Sequence, residues 1–290
     1  MQLLLYHNMN KITGPLNIIR IISDGNIYSI EHLCDLLHIN TLVINQYIKI
    51  IHEWGINLCA IQQKNNNYSF YLKKPLYLLD EQIIQAMLIK GSIRVLPVIN
   101  STNQYLIDNL KKLQSGDACV AEYQFNGRGT RGSRWISPFG YNLYYSIYWR
   151  FEHIQLSSLI HISLIVSIAV AEMLQTLGAH NIQVKWPNDL YFDKRKLAGI
   201  LVEITSDNRN LTHVVIGVGI NLNMPLIVKK WINLQELGIH IMRNILTAKL
   251  TQVLHNALIL FEHEGLAPFI LRWSQFNPTN QPLRRDRPIF

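Results

Sequence analysis

The chain has 290 residues, of which 49% are hydrophobic and 16% charged; this excludes a disordered protein and leaves room for two domains. Its net charge of +8 suits a partner carrying phosphate or acidic groups, without choosing among nucleotide, nucleic acid and acidic protein. Cys34, Cys59 and Cys119 lie far apart and outside CxxC spacing, so neither a disulfide framework nor a zinc site is expected, and a reducing cytoplasm fits.

The N-terminal run has no basic start and no small-residue cleavage site, so no export signal is expected. Pro15 is expected to open a helix whose Leu16, Ile18, Ile19 and Ile22 lead to a stop at Gly25. A second helix starts from Ser29 as N-cap, and the tight turn His38-Ile39-Asn40 leads to a third over residues 41–54. Val43, Ile44, Ile48, Ile51 and Trp54 mark its inner side, which is helix-turn-helix spacing. Its outer side offers Leu42, Asn45, Gln46, Lys49 and His52: Asn45 and Gln46 could read adenine edges, but the face is poor in cations for a DNA surface. Strands over 56–61 and 68–72, around the polar turn QQKNNN, make the unit a winged variant. The pattern breaks at Pro75, which divides the chain into a DNA-binding-like domain (1–75), a second domain (76–270) and a short tail (271–290) carrying Arg284, Arg285 and Arg287.

The second domain alternates strand-like and helix-like segments. Strands are expected at 95–99, 118–123 and 142–149, a helix at 158–177, strands at 183–186, 190–192, 198–204 and 214–220, and a helix at 243–264. A mixed sheet backed by helices, an α+β arrangement, follows. The apolar stretch 156–174 approaches the length of a bilayer span, but it carries His161, four serines and Glu172, so it reads as a buried core helix and no membrane contact is expected. The histidines show no metal-binding spacing, His161 reads as a core histidine, and no metal site is expected. No serine sits in a GxSxG elbow.

The densest polar constellation is Ser101-Thr102-Asn103, Gln124, GRGTRG at Gly127 to Gly132, KWPND at Lys185 to Asp189, Lys196, and GVGIN at Gly217 to Asn221. Each motif alone is weak. The glycine loop reads equally as a turn, KWPND as a proline turn with a salt bridge, and GVGIN lacks the third glycine of a dinucleotide fingerprint.

In order and spacing, EYQFNGRGTRGSRWISPFGYNLYYS, VKWPNDLYFDKRKLAGILVE and VVIGVGINLN resemble the pattern of biotin protein ligases, in particular the two-function type that also represses biotin synthesis genes. The resemblance extends to VLPVINSTNQYL and to the helix-turn-helix region. It implies a two-step reaction. The biotin carboxylate attacks the α-phosphate of ATP, giving biotinyl-AMP and pyrophosphate; an acceptor lysine then takes the biotinyl group and releases AMP. Cations must offset the repulsion between carboxylate and polyphosphate, and Arg128, Lys185 and Lys196, with Mg2+, are the expected catalytic charges.

By position in the family pattern, Ser101, Thr102, Asn103 and Gln124 match the groups that hydrogen-bond biotin's polar ring. Arg128, Gly129 and Thr130 match the loop over the biotin tail and the anhydride, and Lys196 the lysine that bridges carboxylate and phosphate. Trp135, Asn188 and Asn221 are expected at adenine, Trp135 as a stacking surface. Asn45, Gln46 and Lys49 would contact operator DNA. The resemblance further implies a homodimer through the catalytic sheet, and the carboxyl carrier subunit of acetyl-CoA carboxylase as acceptor.

Two departures matter. The family pattern commonly has arginine where Thr130 stands, so biotinyl-AMP should leak more readily here unless Arg131 compensates. The resemblance also implies a small C-terminal β-barrel that helps close the ATP site; with only 271–290 remaining, that domain is expected to be missing or truncated. Three other readings stay open: a DNA-binding regulator, a decayed ligase that binds biotin without efficient transfer, and a lipoate ligase, against which KWPND with GRGTRG argues.

Overall fold

In the computed structural model, residues 2–63, 68–152, 154, 156–206, 211–224 and 229–277 are described. Part of the expected polar turn and the basic group at 284–287 lie outside them. Two compact units emerge: one formed by the described residues up to Leu78 with Pro138–Gly140, the other by 79–137 and 141–277.

The first unit contains α1 (Gln2–Ile22), β1 (Tyr28–Ser29), α2 (Ile30–Leu37), α3 (Thr41–Glu53), β2 (Cys59–Gln62) and β3 (Tyr68–Tyr71). Pro15 does not open α1 but lies inside it. A proline's fixed φ is helical, and the cost is one lost amide bond and crowding in the preceding turn. Here buried Leu16, Ile18, Ile19 and Ile22 anchor the following turns. Ser29 caps α2, its side chain accepting from His32 N, and Asn40 caps α3 by accepting from Val43 N. His38 makes the intervening turn at φ 54. The strand expected from residue 56 begins only at Cys59, because the chain leaving α3 is occupied by capping: Ile56 N donates to Ile51 O at 3.2 Å. The three strands form an antiparallel sheet of order β1-β3-β2.

The second unit runs α4 (Glu81–Met87), β4 (Ile93–Ile99), α5 (Thr102–Asp108), β5 (Ala118–Gln124), β6 (Leu143–Glu152), α6 (Leu156–Leu159), α7 (Ile162–Thr176), β7 (Gln183–Lys185), β8 (Asp189–Phe192), β9 (Arg195–Ser206), β10 (Leu211–Ile220), α8 (Arg243–Glu264) and α9 (Ala267–Ser274). Its sheet has the order β4-β5-β6-β10-β9-β8-β7; β4 and β5 are parallel and the remaining neighbours antiparallel, so the mixed α+β sheet is observed.

β6 explains the layers. Leu143, Tyr145, Ile147, Trp149 and Phe151 alternate onto the face where the apolar side chains of α7 and α8 complete the main core. Tyr148 turns to the other face, beside Leu106 of α5 and Val215 of β10. Nearly every position of α7 is buried, as expected of a core helix, and at roughly 1.5–3 kcal/mol per large aliphatic side chain this burial is a main driving force. No helix among the described residues is long and apolar enough to cross a membrane.

The helix expected as one piece at 158–177 is two, α6 and α7, interrupted at Ile160–His161, where both residues have modest helix propensity. α4, α5 and α9 were not anticipated. α4 is capped by Asp80, which accepts from Ile83 N at 2.9 Å. The stretch around residue 80 is also tied inward. Leu79 N donates to Glu122 Oε1 at 2.5 Å, Asp80 N to Asn244 Oδ1 at 3.0 Å, and Glu122 pairs with Arg243. That ion pair is almost wholly buried, so removing one partner would strand a charge in the core, at a cost of about 3–5 kcal/mol.

Candidate active site

An open cleft lies where the N-terminus of α5, the glycine loop and the strands β6, β9 and β10 converge. Ser101, Thr102, Asn103, Gln124, Arg128, Gly129, Thr130, Trp135, Asn188, Lys196 and Asn221, far apart in sequence, all line it. Lys185 does not. It is exposed on β7, with Nζ 5.3 Å from the centre of the Tyr191 ring.

One wall is a buried hydrogen-bond network. Ser101 is the N-cap of α5. Gln124 Oε1 accepts from Thr102 N at 2.9 Å, and its Nε2 donates to Ser137 Oγ at 3.0 Å. Ser146 Oγ lies 2.7 Å from Thr102 Oγ1 and 2.5 Å from Asn103 Oδ1. Asn103 Oδ1 can only accept, so Ser146 gives it its one proton, and the Thr102 hydroxyl, which also lies 3.2 Å from Gln124 Oε1, donates to one of its two neighbours. The network fixes which atoms face the cleft before any ligand arrives. Burial raises the phenols of Tyr144 and Tyr145, which also line the cleft, well above the usual tyrosine range, so both stay neutral.

The two cleft cations that the sequence singled out are both held by carboxylates. Lys196 Nζ lies 2.7 Å from Asp189 and 5.4 Å from the centre of the Trp135 ring; Arg128 Nη2 donates to Glu203 Oε2 at 2.7 Å. All four side chains are between a fifth and a third exposed, so these pairs orient more than they stabilise. Asp189 of KWPND is therefore in a salt bridge, but with Lys196 outside the motif and not with Lys185 within it. Two buried donors at the cleft, Arg128 Nε and Trp135 Nε1, have no protein acceptor. Such groups call for an explanation, and an acceptor-rich ligand is the simplest.

GVGIN is strand, not a phosphate loop, and its glycines serve close approach. A Cβ on Gly217 would collide with the side chain of Asn103, and one on Gly219 would lie 2.5 Å from the Trp135 indole. Gly199 on β9 makes the same allowance, with Trp135 Cζ3 at 2.9 Å from its would-be Cβ. Trp135 thus lies flat against glycine-lined strands, held by Trp135 N donating to Gly127 O at 2.9 Å. Within the loop, Gly129 N donates to Ser133 O at 2.8 Å, and Arg131, at φ 55, is exposed. Asn188 Nδ2 donates to Ile200 O at 2.9 Å, and Asn221 Nδ2 lies 3.2 Å from both Lys196 O and Ile232 O, so these amides also fix the strands around the cleft.

The sequence reading missed Glu203, Ser137, Ser146 and Trp231, and Lys196 as the partner of Asp189. Glu203 carried a signal: it is a charged residue inside the apolar run of β9, on the alternation opposite to Ile200, Val202 and Ile204. The serines carried none. In the other unit, Asn45, Gln46 and Lys49 are exposed on α3, on the side away from buried Ile44, Ile48 and Ile51.

Residues 95–221, which supply most of this cleft, match the model of the biotin/lipoate A/B protein ligase family. The chain is 45% identical to the bifunctional ligase/repressor BirA of Salmonella typhimurium and 44% identical to that of Escherichia coli, in each case over 97% of this chain and 89% of the relative. Among solved structures, the biotin protein ligase from Aquifex aeolicus in complex with biotin and ATP superimposes with a TM-score of 0.55 at 26% identity, covering 64% of this chain and 78% of that one. With that identity spread over nearly the whole of both chains, the protein belongs to the biotin/lipoate A/B protein ligase family, among its bifunctional ligase/repressor members.

Proposed function

We propose that the cleft joins biotin to ATP as biotinyl-5'-AMP and then transfers the biotinyl group to a lysine of a biotin carboxyl carrier protein. The observation that carries this reading is one cleft holding a preset polar network, two carboxylate-paired cations and a glycine-seated tryptophan. In this reading Ser101, Thr102, Asn103 and Gln124 bind the polar ring of biotin. Selectivity follows because a ligand that left these groups unpaired would lose their buried hydrogen bonds.

Arg128 and Lys196, rather than Lys185, face the carboxylate and the α-phosphate. Arg128 Nε and Trp135 Nε1 find acceptors on the bound ligand, and Trp135, Asn188 and Asn221 border the adenine. Mg2+ would offset phosphate charge. Asp189 is the carboxylate nearest to that task in the cleft wall, which fits an ion held mostly by phosphates and water. Catalysis rests on positioning and charge, and the loop over the cleft shields the acyl phosphate from water.

The purified protein, mixed with ATP, Mg2+, biotin and an acceptor domain, should add the biotin mass to the acceptor lysine by mass spectrometry. Bound biotin without transfer would instead indicate a decayed ligase, and transfer of lipoate in its place a lipoate ligase. Thr130 lines the cleft, whereas exposed Arg131 borders only an adjoining cavity that shares Thr130 with the cleft, so in this reading Arg131 does not supply the missing charge. Thr130→Arg should slow release of biotinyl-AMP about fivefold, a partly exposed charge-assisted contact being worth about 1 kcal/mol. A dissociation rate unchanged from the parent removes this explanation.

We also infer a winged helix-turn-helix in the first unit, acting in a homodimer as a biotin-responsive repressor. Its support is the exposed row Asn45, Gln46 and Lys49 on α3 and the hairpin β2–β3. Promoter DNA of biotin synthesis genes should be shifted in a gel by the protein with biotin and ATP, less so as salt rises, and Lys49→Ala should lower the salt slope by about 1. A shift indifferent to salt, or none, removes the DNA reading.

A further inference from the structure

We propose that Glu203 is a positioning residue for the ligation, a single carboxylate oxygen that sets both the biotin-ring wall and the loop cation; this rests on the reading of the cleft given above. Glu203 Oε2 accepts from Asn103 Nδ2 at 2.8 Å and from Arg128 Nη2 at 2.7 Å. Asn103 comes from the first turn of α5, Arg128 from the glycine loop and Glu203 from β9, so one atom of β9 holds two segments that lie 100 and 75 residues before it.

The first consequence concerns the amide of Asn103. Its two ends differ only in hydrogen bonding, and nothing in its shape chooses between them. Glu203 takes the Nδ2 end, and Leu201 O lies 3.4 Å from the same nitrogen; Ser146 then donates to the Oδ1 end. The carboxylate therefore selects which end meets Ser146 and which meets β9. Gly217 seats the amide in that plane.

The second concerns Arg128. A loop arginine facing water has several rotamers, and each would have to be given up when an anion binds. With Nη2 held by Glu203, the guanidinium is already in place, with its buried Nε still without a protein acceptor. Preorganisation of this kind lowers the cost of binding and acts on affinity more than on the chemical step.

Because both donors use the same oxygen, Glu203→Gln can keep both hydrogen bonds and lose only the charge, whereas Glu203→Ala loses both. Glu203→Asp keeps the charge, but its carboxylate is one methylene short of both donors. The expected result is a biotin Kd, by calorimetry, weakened about tenfold in Glu203→Ala and Glu203→Asp and within about threefold of the parent in Glu203→Gln, with kcat at saturating substrates little changed. A glutamine variant as impaired as the alanine one, an unchanged alanine variant, or tighter binding in either would overturn the proposal.

A second measurement does not depend on biotin. Trypsin should cut after Arg128 about tenfold faster in ligand-free Glu203→Ala than in the parent or in Glu203→Gln, because the loop has lost its tether. Equal cutting rates overturn the proposal even where biotin binds normally. If the parent protein binds no biotin, the reading of the cleft fails, while the trypsin comparison still decides whether Glu203 holds Arg128. Should Glu203→Ala not fold, Glu203→Asp carries both tests.

Discussion

Lys196→Ala should lower the rate of biotinyl-AMP formation by about 10² to 10³, the usual effect of removing one preorganised group that stabilises developing charge. The ammonium is placed by Asp189 on one side and by the Trp135 ring on the other, so its position does not depend on the ligand. Its backbone is held separately: Lys196 N donates to Lys230 O at 2.8 Å, and Ile232 N to Lys196 O at 3.0 Å. The truncation should therefore leave the fold intact and act on the reaction alone. Pyrophosphate release with ATP and biotin measures the first step, and a rate within tenfold of the parent would remove Lys196 from the chemistry.

Adding one methyl group at two positions of β10 should separate the two substrates. Gly217→Ala pushes on Asn103 and should raise the KM for biotin. Gly219→Ala pushes on the Trp135 indole and should raise the KM for ATP. Each shift should be about tenfold or more, since overpacking forces a displacement worth roughly 1–3 kcal/mol. The same strain should lower stability by a comparable amount, measurable by denaturant unfolding. The informative result is the crossed pattern. If Gly219→Ala changed only the biotin KM, Trp135 would belong to the biotin side and the assignment of adenine contacts would be wrong.

Local signals in the sequence were read well where one periodicity dominates. The aromatic alternation of β6, the apolar 3.6-residue pattern of α3 and the uninterrupted length of α8 placed those elements within a few residues. Short elements were harder. α4 and α5 have seven residues each, fewer than a periodicity needs, and their caps Asp80 and Ser101 sit among other polar residues. Pro15 misled because a proline that usually opens a helix can also be carried through one.

In the site, the resemblance gathered the residues that the structure places around one cleft, with Lys185 the exception. Lys185 sits next to Trp186 and Asp189 in the motif, yet β7 presents it to solvent. What sequence did not supply were partnerships across the sheet: Glu203 with Arg128 and Ser146 with Asn103 are each separated by more than forty residues, so no local pattern could reveal them.

The sheet order has a consequence for how the protein acquires its activity. β6 pairs on one side with β5, close in sequence, and on the other with β10, whose residues follow some sixty positions later. Gly217 and Gly219, the floor for Asn103 and Trp135, arrive only with β10. While the ribosome is still making β7 to β9, the chain has its glycine loop and its α5 wall but no surface for them to close on. Ligand affinity should therefore switch on in one step, late in synthesis, making retention of biotin a direct reporter that the central strand pairing is complete.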